Sequence, residues 1–149
     1  MRGVLQRVSE AKVVVDGEIT GQIGTGILLL LGISSRDTEG DAGYILKKTL
    51  GLRIFDDADG KMNLSLTDVN GGLLIVSQFT LYGDSRKGRR PSYIDAADPD
   101  KAIPFYEFFV SEARKQIAKV ETGRFQARME VHLLNDGPVT ILLDSEKFF

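Results

Sequence analysis

The chain opens with short apolar clusters set between polar residues. Residues 2–8 and 11–15 read as extended and rich in Val and Leu. Asp16-Gly17 is a two-residue hairpin signal, and Ile19 to Ile23 returns as the partner strand. Gly24-Thr25-Gly26 turns the chain into Ile27–Ile33, an unbroken apolar run of the kind found in a central strand. Gly24-x-Gly26 does not fit a nucleotide loop, because it precedes a strand and not a helix.

At Thr38 the period changes from two to 3.6. Thr38-x-x-Asp41 has the form of a capping box, and Ala42, Ile45, Leu46, Thr49 and Leu50 then share one helical face up to Gly51. Asp59-Gly60 and Asn70-Gly71 are tight-turn signals, separated by Met62, Leu64 and Leu66 in alternation. Leu73–Val76 is a further buried strand. Residues 84–97 are polar, basic and turn-rich. A second helix is expected over roughly 99–121, capped by Asp98 with Pro99 at its first position. Its stripe is Tyr106, Phe109, Val110, Ala113, Ile117 and Val120. Pro104 cannot donate to residue 100 and could delay the regular helix to near Ile103; Gly123 would stop it. Two last strands, about 127–134 and 139–144, would be joined by Asn135-Asp136-Gly137-Pro138. Seven or eight strands with two main helices make an α+β protein built on a largely antiparallel, barrel-like sheet.

Composition narrows the chemistry. With 149 residues and 42% hydrophobic content, one domain with a real core is expected over 1–149. There is no cysteine, which excludes disulfides and thiol catalysis. The longest apolar run, Ile27 to Leu31, is too short for a bilayer, and Met1-Arg2-Gly3-Val4 enters a strand pattern without a signal-peptide core, so a cytoplasmic protein is expected. The net charge of −2 exerts no global pull on nucleic acid. Arg86, Lys87, Arg89 and Arg90 nevertheless place four cations within five residues, as a solvated loop or a local phosphate-binding patch.

Several catalytic sets are missing. A single histidine and no cysteine leave no zinc cluster, and no carboxylate pair is placed for glycosidase chemistry. With Gly60 at the sixth position of a calcium loop, positions one and twelve fall on Phe55 and Leu66, which cannot ligate; Asp56, Asp57 and Asp59 therefore read as an acidic turn. His132, three residues before Asn135, stays a candidate base, although its alternation with Val131 and Leu133 points it to the opposite sheet face. Thr80 is the candidate side chain. On a plain strand, Ser77 and Phe79 would face one side and Gln78 and Thr80 the other, making local hydrogen bonds. The backbone N–H groups of such a strand end could instead hold an oxyanion. Asn135-Asp136-Gly137-Pro138 alone reads as an ordinary hairpin connection.

Ser77-Gln78-Phe79-Thr80-Leu81 and Asn135-Asp136-Gly137-Pro138-Val139-Thr140 together resemble the two signature motifs of the D-aminoacyl-tRNA deacylases, also called D-tyrosyl-tRNA deacylases. Gln6-Arg7-Val8, Asp16-Gly17, Gly32, Lys47 to Phe55, Met62-Asn63-Leu64-Ser65 and Arg86 to Ser92 are similar to that family in the same order. The resemblance implies an intertwined homodimer with active sites at the subunit interface and no cofactor or metal. It implies that Ser77, Gln78, Phe79 and Thr80 of one subunit line the pocket. A Gly137-Pro138 cis peptide of the other would exclude L side chains, with Arg7 steadying it. Its substrates would be tRNA charged with D-amino acids. A filter that works by steric exclusion would pass glycine as well, and the charge run at Arg86, Lys87, Arg89 and Arg90 is our candidate for tRNA phosphate contact. Two alternatives stay open from the residues themselves: a non-catalytic tRNA-binding module, and a small-molecule esterase using Thr80.

Overall fold

In the computed structural model, which describes residues 1–149, the first strand is long enough to serve three partners. The first half of β1 (Arg2–Val15) pairs antiparallel with β3 (Gly26–Gly32), Arg2 opposite Gly32 and Val8 opposite Gly26. Its second half pairs with β2 (Glu18–Ile23) across Asp16 and Gly17, whose φ angles of 51° and 81° lie in the left-handed region that a type I′ hairpin needs. The other edge of β1 carries β8 (Glu130–Asp144), from Arg2 opposite Asp144 to Val14 opposite Glu130.

The rest of the sheet is built by crossovers. From β3 the chain runs through α1 (Glu39–Gly51) and a short hairpin, β4 (Phe55–Asp56) with β5 (Met62–Leu64), before β6 (Gly72–Ser77) lies parallel to β3. From β6 it passes through α2 (Pro99–Arg114) to β7 (Val120–Thr122), parallel to β6. The sheet order is β2-β1-β3-β6-β7, with β8 on β1. The sheet is therefore mixed: antiparallel around β1 and parallel across β3, β6 and β7. The expectation of a largely antiparallel sheet needs this correction, because each helix sits in a connection that returns the chain in the same direction. The sheet curls until β2 meets β7, where Gly21 leaves no room for a side chain against the Thr122 backbone.

Both faces of the central strands are covered, which explains their unbroken apolar runs. Ile27, Leu29 and Leu31 of β3, with Leu73 and Ile75 of β6, pack with Ile45 and Leu46 of α1 and Phe109 and Val110 of α2. Leu28, Leu74 and Val76 belong to a second cluster with Val8, Ala11, Val13, Val15 and Ile23 inside the curl. Full burial of each such side chain is worth roughly 1.5–3 kcal/mol.

The helices follow their sequence signals with two differences. In α1 the five expected residues are the buried ones. Its Thr38 amide donates to the Asp41 carboxylate at 2.9 Å, and the Thr38 hydroxyl donates to the same oxygen at 2.6 Å. Helix α2 starts at Pro99 despite Pro104, since Lys101 and Ala102 both donate to the Asp98 carbonyl. It ends at Arg114, not near residue 121. Val120 continues the helical stripe in spacing but buries itself as a strand residue opposite Leu73, with Leu73 N donating to Lys119 O at 3.0 Å. β-Branched Val120 and Thr122 suit that extended backbone.

Candidate functional site

Strand β6 stops at Ser77, and the backbone turns instead of running on as a strand. Gln78 N donates to Leu31 O at 2.8 Å, the last link to β3, and Gln78 then takes φ −144°, ψ 79°. Phe79–Tyr82 form a single 3-10 turn, closed by Leu81 N to Gln78 O at 3.2 Å and Gly83 N to Thr80 O at 2.9 Å. The strand alternation expected for Ser77 to Thr80 is thus replaced after Ser77. The first residues of a helix have no intrahelical acceptor for their N–H groups. Those of Phe79 and Thr80 also reach no loop or side-chain acceptor, so two adjacent main-chain donors are left free. The Gln78 amide donates to the Thr80 hydroxyl.

Close packing holds this turn. A Cβ at Gly32 would lie 3.1 Å from Gln78 O and from Leu81 Cβ, so only glycine lets the turn fold back onto β3 without displacement. Arg2 Nη1 donates to Leu81 O at 2.9 Å, its Nε donates to buried Asp144 at 3.1 Å, and its guanidinium lies 4.6 Å over the Tyr82 ring. Burial pushes the Tyr82 phenol well above its ordinary pKa, so it stays protonated.

The turn borders a cleft of about 670 Å³. Ser77, Gln78, Phe79 and Tyr93 line it from one part of the chain, and Phe125, Gln126, Ala127, Met129 and Val131 from another, with Leu31, Ile33 and Val76 between them. Phe79 and Tyr93 meet edge to face, centroids 5.1 Å apart. Asp98 is the one ionisable carboxylate in the lining. His132 is on the face of β8 away from Met129 and Val131; it pairs across β1 with Lys12, and its Nε2 is 3.5 Å from Glu130.

The second motif is not a hairpin connection. β8 runs through it as one strand, because both its halves pair with the same long β1, and residues 136–139 bulge out between the pairs Gln6–Thr140 and Val8–Asn135. The Gly137–Pro138 peptide is cis, with Gly137 at φ 120°. Asn135 closes the base of the bulge, its amide donating to Arg7 O and Val139 O, both at 2.9 Å, while Thr140 donates to its Oδ1 at 3.3 Å. Arg7, buried on β1, donates to Ile54 O at 2.7 Å and Asp136 O at 3.3 Å, with the Asp136 carboxylate 3.1 Å from Nε.

In the basic loop, Asp84 and Ser92 exchange backbone hydrogen bonds at 2.8 and 2.9 Å and close residues 84–92 at their base. Arg86 is committed within it: its guanidinium grips Asp84 through Nε at 2.9 Å and Nη2 at 2.7 Å, holding that carboxyl well below the usual range. Lys87, Arg89 and Arg90 are exposed and make no ion pair. Tyr93, against Phe79, ties this loop to the turn.

Ser77, Gln78, Phe79 and Thr80 are together, and Arg7, Gly137 and Pro138 are together, but the two groups are apart. The first is anchored at Arg2 and the second at Arg7, five residues along β1, or about 17 Å at ~3.4 Å per residue. They also attach to opposite edges of that strand, through β3 and β8. Sequence reading missed Arg2, Asn135 and Tyr93 as supports. Arg2 and Tyr93 carry no local signal, and the bond from Asn135 to Arg7 spans 128 positions.

The D-Tyr-tRNA(Tyr) deacylase family matches residues 4–144. The chain is 61% identical to the D-aminoacyl-tRNA deacylase of Thermosipho melanesiensis, covering all of both chains. It is 58% identical to that of Thermotoga petrophila, again over the whole of each. Among solved structures it resembles a c-Myc DNA unwinding element binding protein, with TM-score 0.92 and 42% identity over 97% of this chain and 98% of that one. A probable eukaryotic D-amino acid tRNA deacylase shares the fold, with TM-score 0.80 and 20% identity over 95% and 97% of the two chains. The chain belongs to the D-Tyr-tRNA(Tyr) deacylase family.

Proposed function

We propose that this chain hydrolyses the ester bond of D-aminoacyl-tRNA, releasing free D-amino acid and tRNA. The observation that carries this reading is the pair of unpaired N–H groups, Phe79 and Thr80, at the edge of an apolar cleft. An aminoacyl ester is already activated. In the proposed step, water attacks the carbonyl carbon and main-chain donors hold the oxyanion. The intermediate then expels the ribose 3′-oxygen, with the neighbouring 2′-hydroxyl relaying the proton. The Thr80 hydroxyl accepts from Gln78, and His132 lies on another face, so no base is placed to make Thr80 a nucleophile. That favours the water route over an acyl-enzyme and over a Thr80-dependent small-molecule esterase. A module that binds tRNA without turnover could use the same donors for a phosphate, and turnover separates the two readings.

Stereoselectivity is assigned to Gly137–Pro138 reaching the cleft of a second copy. The separation of the two motifs on one chain supports a homodimer with shared sites, in which residues 1–149 act as one deacylase domain. Fixed backbone atoms at the position of an L side chain exclude it by overlap. A thousandfold preference needs about 4 kcal/mol of differential transition-state stabilisation, which steric overlap can supply. A filter of this kind passes glycine, so glycyl-tRNA is a second substrate. Lys87, Arg89 and Arg90, exposed and without ion-pair partners, are assigned to tRNA phosphates. No helix is long and apolar enough to cross a membrane. The proposed tRNA substrate supports a cytoplasmic reaction.

The test is deacylation of matched D-tyrosyl-tRNA and L-tyrosyl-tRNA by chelator-treated protein. Rapid loss of the D ester alone is expected. Equal rates on both would remove the filter, and no turnover with retained tRNA binding would leave a binding module.

A further inference from the structure

We propose that Arg124 and Arg128 form a second phosphate-binding edge of the cleft and hold the backbone of the single-stranded 3′ end of the tRNA. The proposal rests on the cleft being the site where the aminoacyl ester binds.

Four consecutive features place these arginines. Residues 124–127 form a turn, closed by Ala127 N to Arg124 O at 3.2 Å, with Gln126 at φ 60°. Phe125, Gln126, Ala127 and Met129 from this segment line the cleft, while Arg124 and Arg128 are exposed beside them. The segment is anchored. The Phe125 ring packs on Tyr106 at 5.6 Å between centroids, and the Tyr106 hydroxyl donates to Ile75 O at 2.7 Å. At the base, a Cβ on Gly123 would come 2.5 Å from the Met129 sulfur, so the two ends of the segment are in contact.

The charges on this turn are uncommitted. Arg86 in the other basic segment is held by Asp84, but neither Arg124 nor Arg128 has a carboxylate within ion-pairing distance. The nearest acidic neighbours in sequence are Glu121 for Arg124, which makes no ion pair with it, and Glu130 for Arg128, which lies 3.5 Å from His132. Two guanidinium groups without partners on a braced turn are suited to phosphate oxygens, which they bind in planar, bidentate fashion. An ester seated against Phe79 and Thr80 brings the phosphates of the last nucleotides to the rim of the same cleft. On a chain of net charge −2, this attraction has to be local.

The experiment compares D-tyrosyl-tRNA with D-tyrosyl-adenosine, which carries the same ester and no phosphate, for the native protein and Arg124→Ala/Arg128→Ala. The double variant is expected to raise KM for D-tyrosyl-tRNA at least ~10-fold with kcat retained, and to leave D-tyrosyl-adenosine unchanged. Its plot of log kcat/KM against log salt should flatten by about 1.4, for two contacts at ~0.7 each on a single strand. Arg124→Lys/Arg128→Lys should keep most of the native salt slope. Unchanged tRNA kinetics in the alanine variant would overturn the proposal, as would equal losses on both substrates, which would make the arginines supports of the cleft. A native protein that cleaves neither substrate would instead overturn the deacylase reading on which this depends.

Discussion

The Arg7 guanidinium donates to the main-chain carbonyls of both Ile54 and Asp136, at 2.7 and 3.3 Å, so one buried side chain joins the end of the α1 connection to the cis-peptide bulge. Arg7→Ala leaves these carbonyls without their donor. A buried acceptor left unsatisfied costs about 1–3 kcal/mol, and thermal denaturation should show a fall of roughly 2–4 °C per kcal/mol. On charged tRNA, the variant should gain activity on the L ester and so lose the D to L ratio more than the D rate. A variant that keeps the native ratio would show that Arg7 serves stability alone.

Phe79 begins the 3-10 turn, where an N–H is free and a proline ring is tolerated. Phe79→Pro removes that donor, whereas Phe79→Ala removes only the ring. Loss of one oxyanion donor typically lowers kcat ~10²–10³-fold. The proline variant should therefore fall below the alanine variant by about that factor at similar KM. Equal kcat in the two would take the Phe79 N–H out of the reaction.

Thr80→Val removes a hydroxyl that accepts from the Gln78 amide. Turnover within ~10-fold of native is expected if water is the nucleophile, since the main-chain donors remain. Complete loss with intact tRNA binding would favour an acyl-enzyme, which rapid quenching and mass measurement would detect.

Within the basic loop, the arginines are not equivalent. Arg86 is engaged with Asp84, while Arg89 and Arg90 are unpaired. Arg89→Ala/Arg90→Ala should flatten the salt dependence of tRNA binding by about 1.4 to 1.8, at ~0.7 per contact on a single strand and ~0.9 on a duplex. Arg86→Ala should leave the slope nearly unchanged.

At the start of α1, partial burial acts to raise the Asp41 pKa, but hydrogen bonds from the Thr38 hydroxyl and amide outweigh it and lower the pKa to about 2. A carboxyl depressed in the folded state contributes stability that is complete above its unfolded pKa and disappears as pH falls through the folded one. Denaturant melts from pH 5 to 2 should show a shallower acid loss for Asp41→Asn than for the native chain.

Local patterns made most of the architecture legible. Asp16-Gly17, the Thr38 start of α1 and the Ile27–Leu31 run each state their element within a few residues. What they could not state was direction and reach. Nothing near Leu73 says that it lies parallel to Ile27, and nothing near Val120 says that it pairs with Leu73 instead of finishing the helix. Asn135 to Pro138 has hairpin composition, yet β1 continues past it and keeps both flanks on one ladder. The candidate site could be read from the sequence only as two sets of residues, Ser77–Thr80 and Gly137–Pro138. The free N–H groups could not, because they depend on where β6 gives way to a turn.

The spacing of Arg2 and Arg7 along β1 has a consequence for mixed populations. If each pocket takes its turn from one chain and its filter from another, a dead chain can correct a careless one. A Phe79→Pro chain has an intact bulge and no working turn; an Arg7→Ala chain has a working turn and a loosened bulge. In a mixed dimer, the only complete pocket combines the sound half of each. Adding excess inactive Phe79→Pro protein to Arg7→Ala protein, with time to exchange, should restore rejection of L-tyrosyl-tRNA. Fidelity would then belong to the pair and not to either polypeptide.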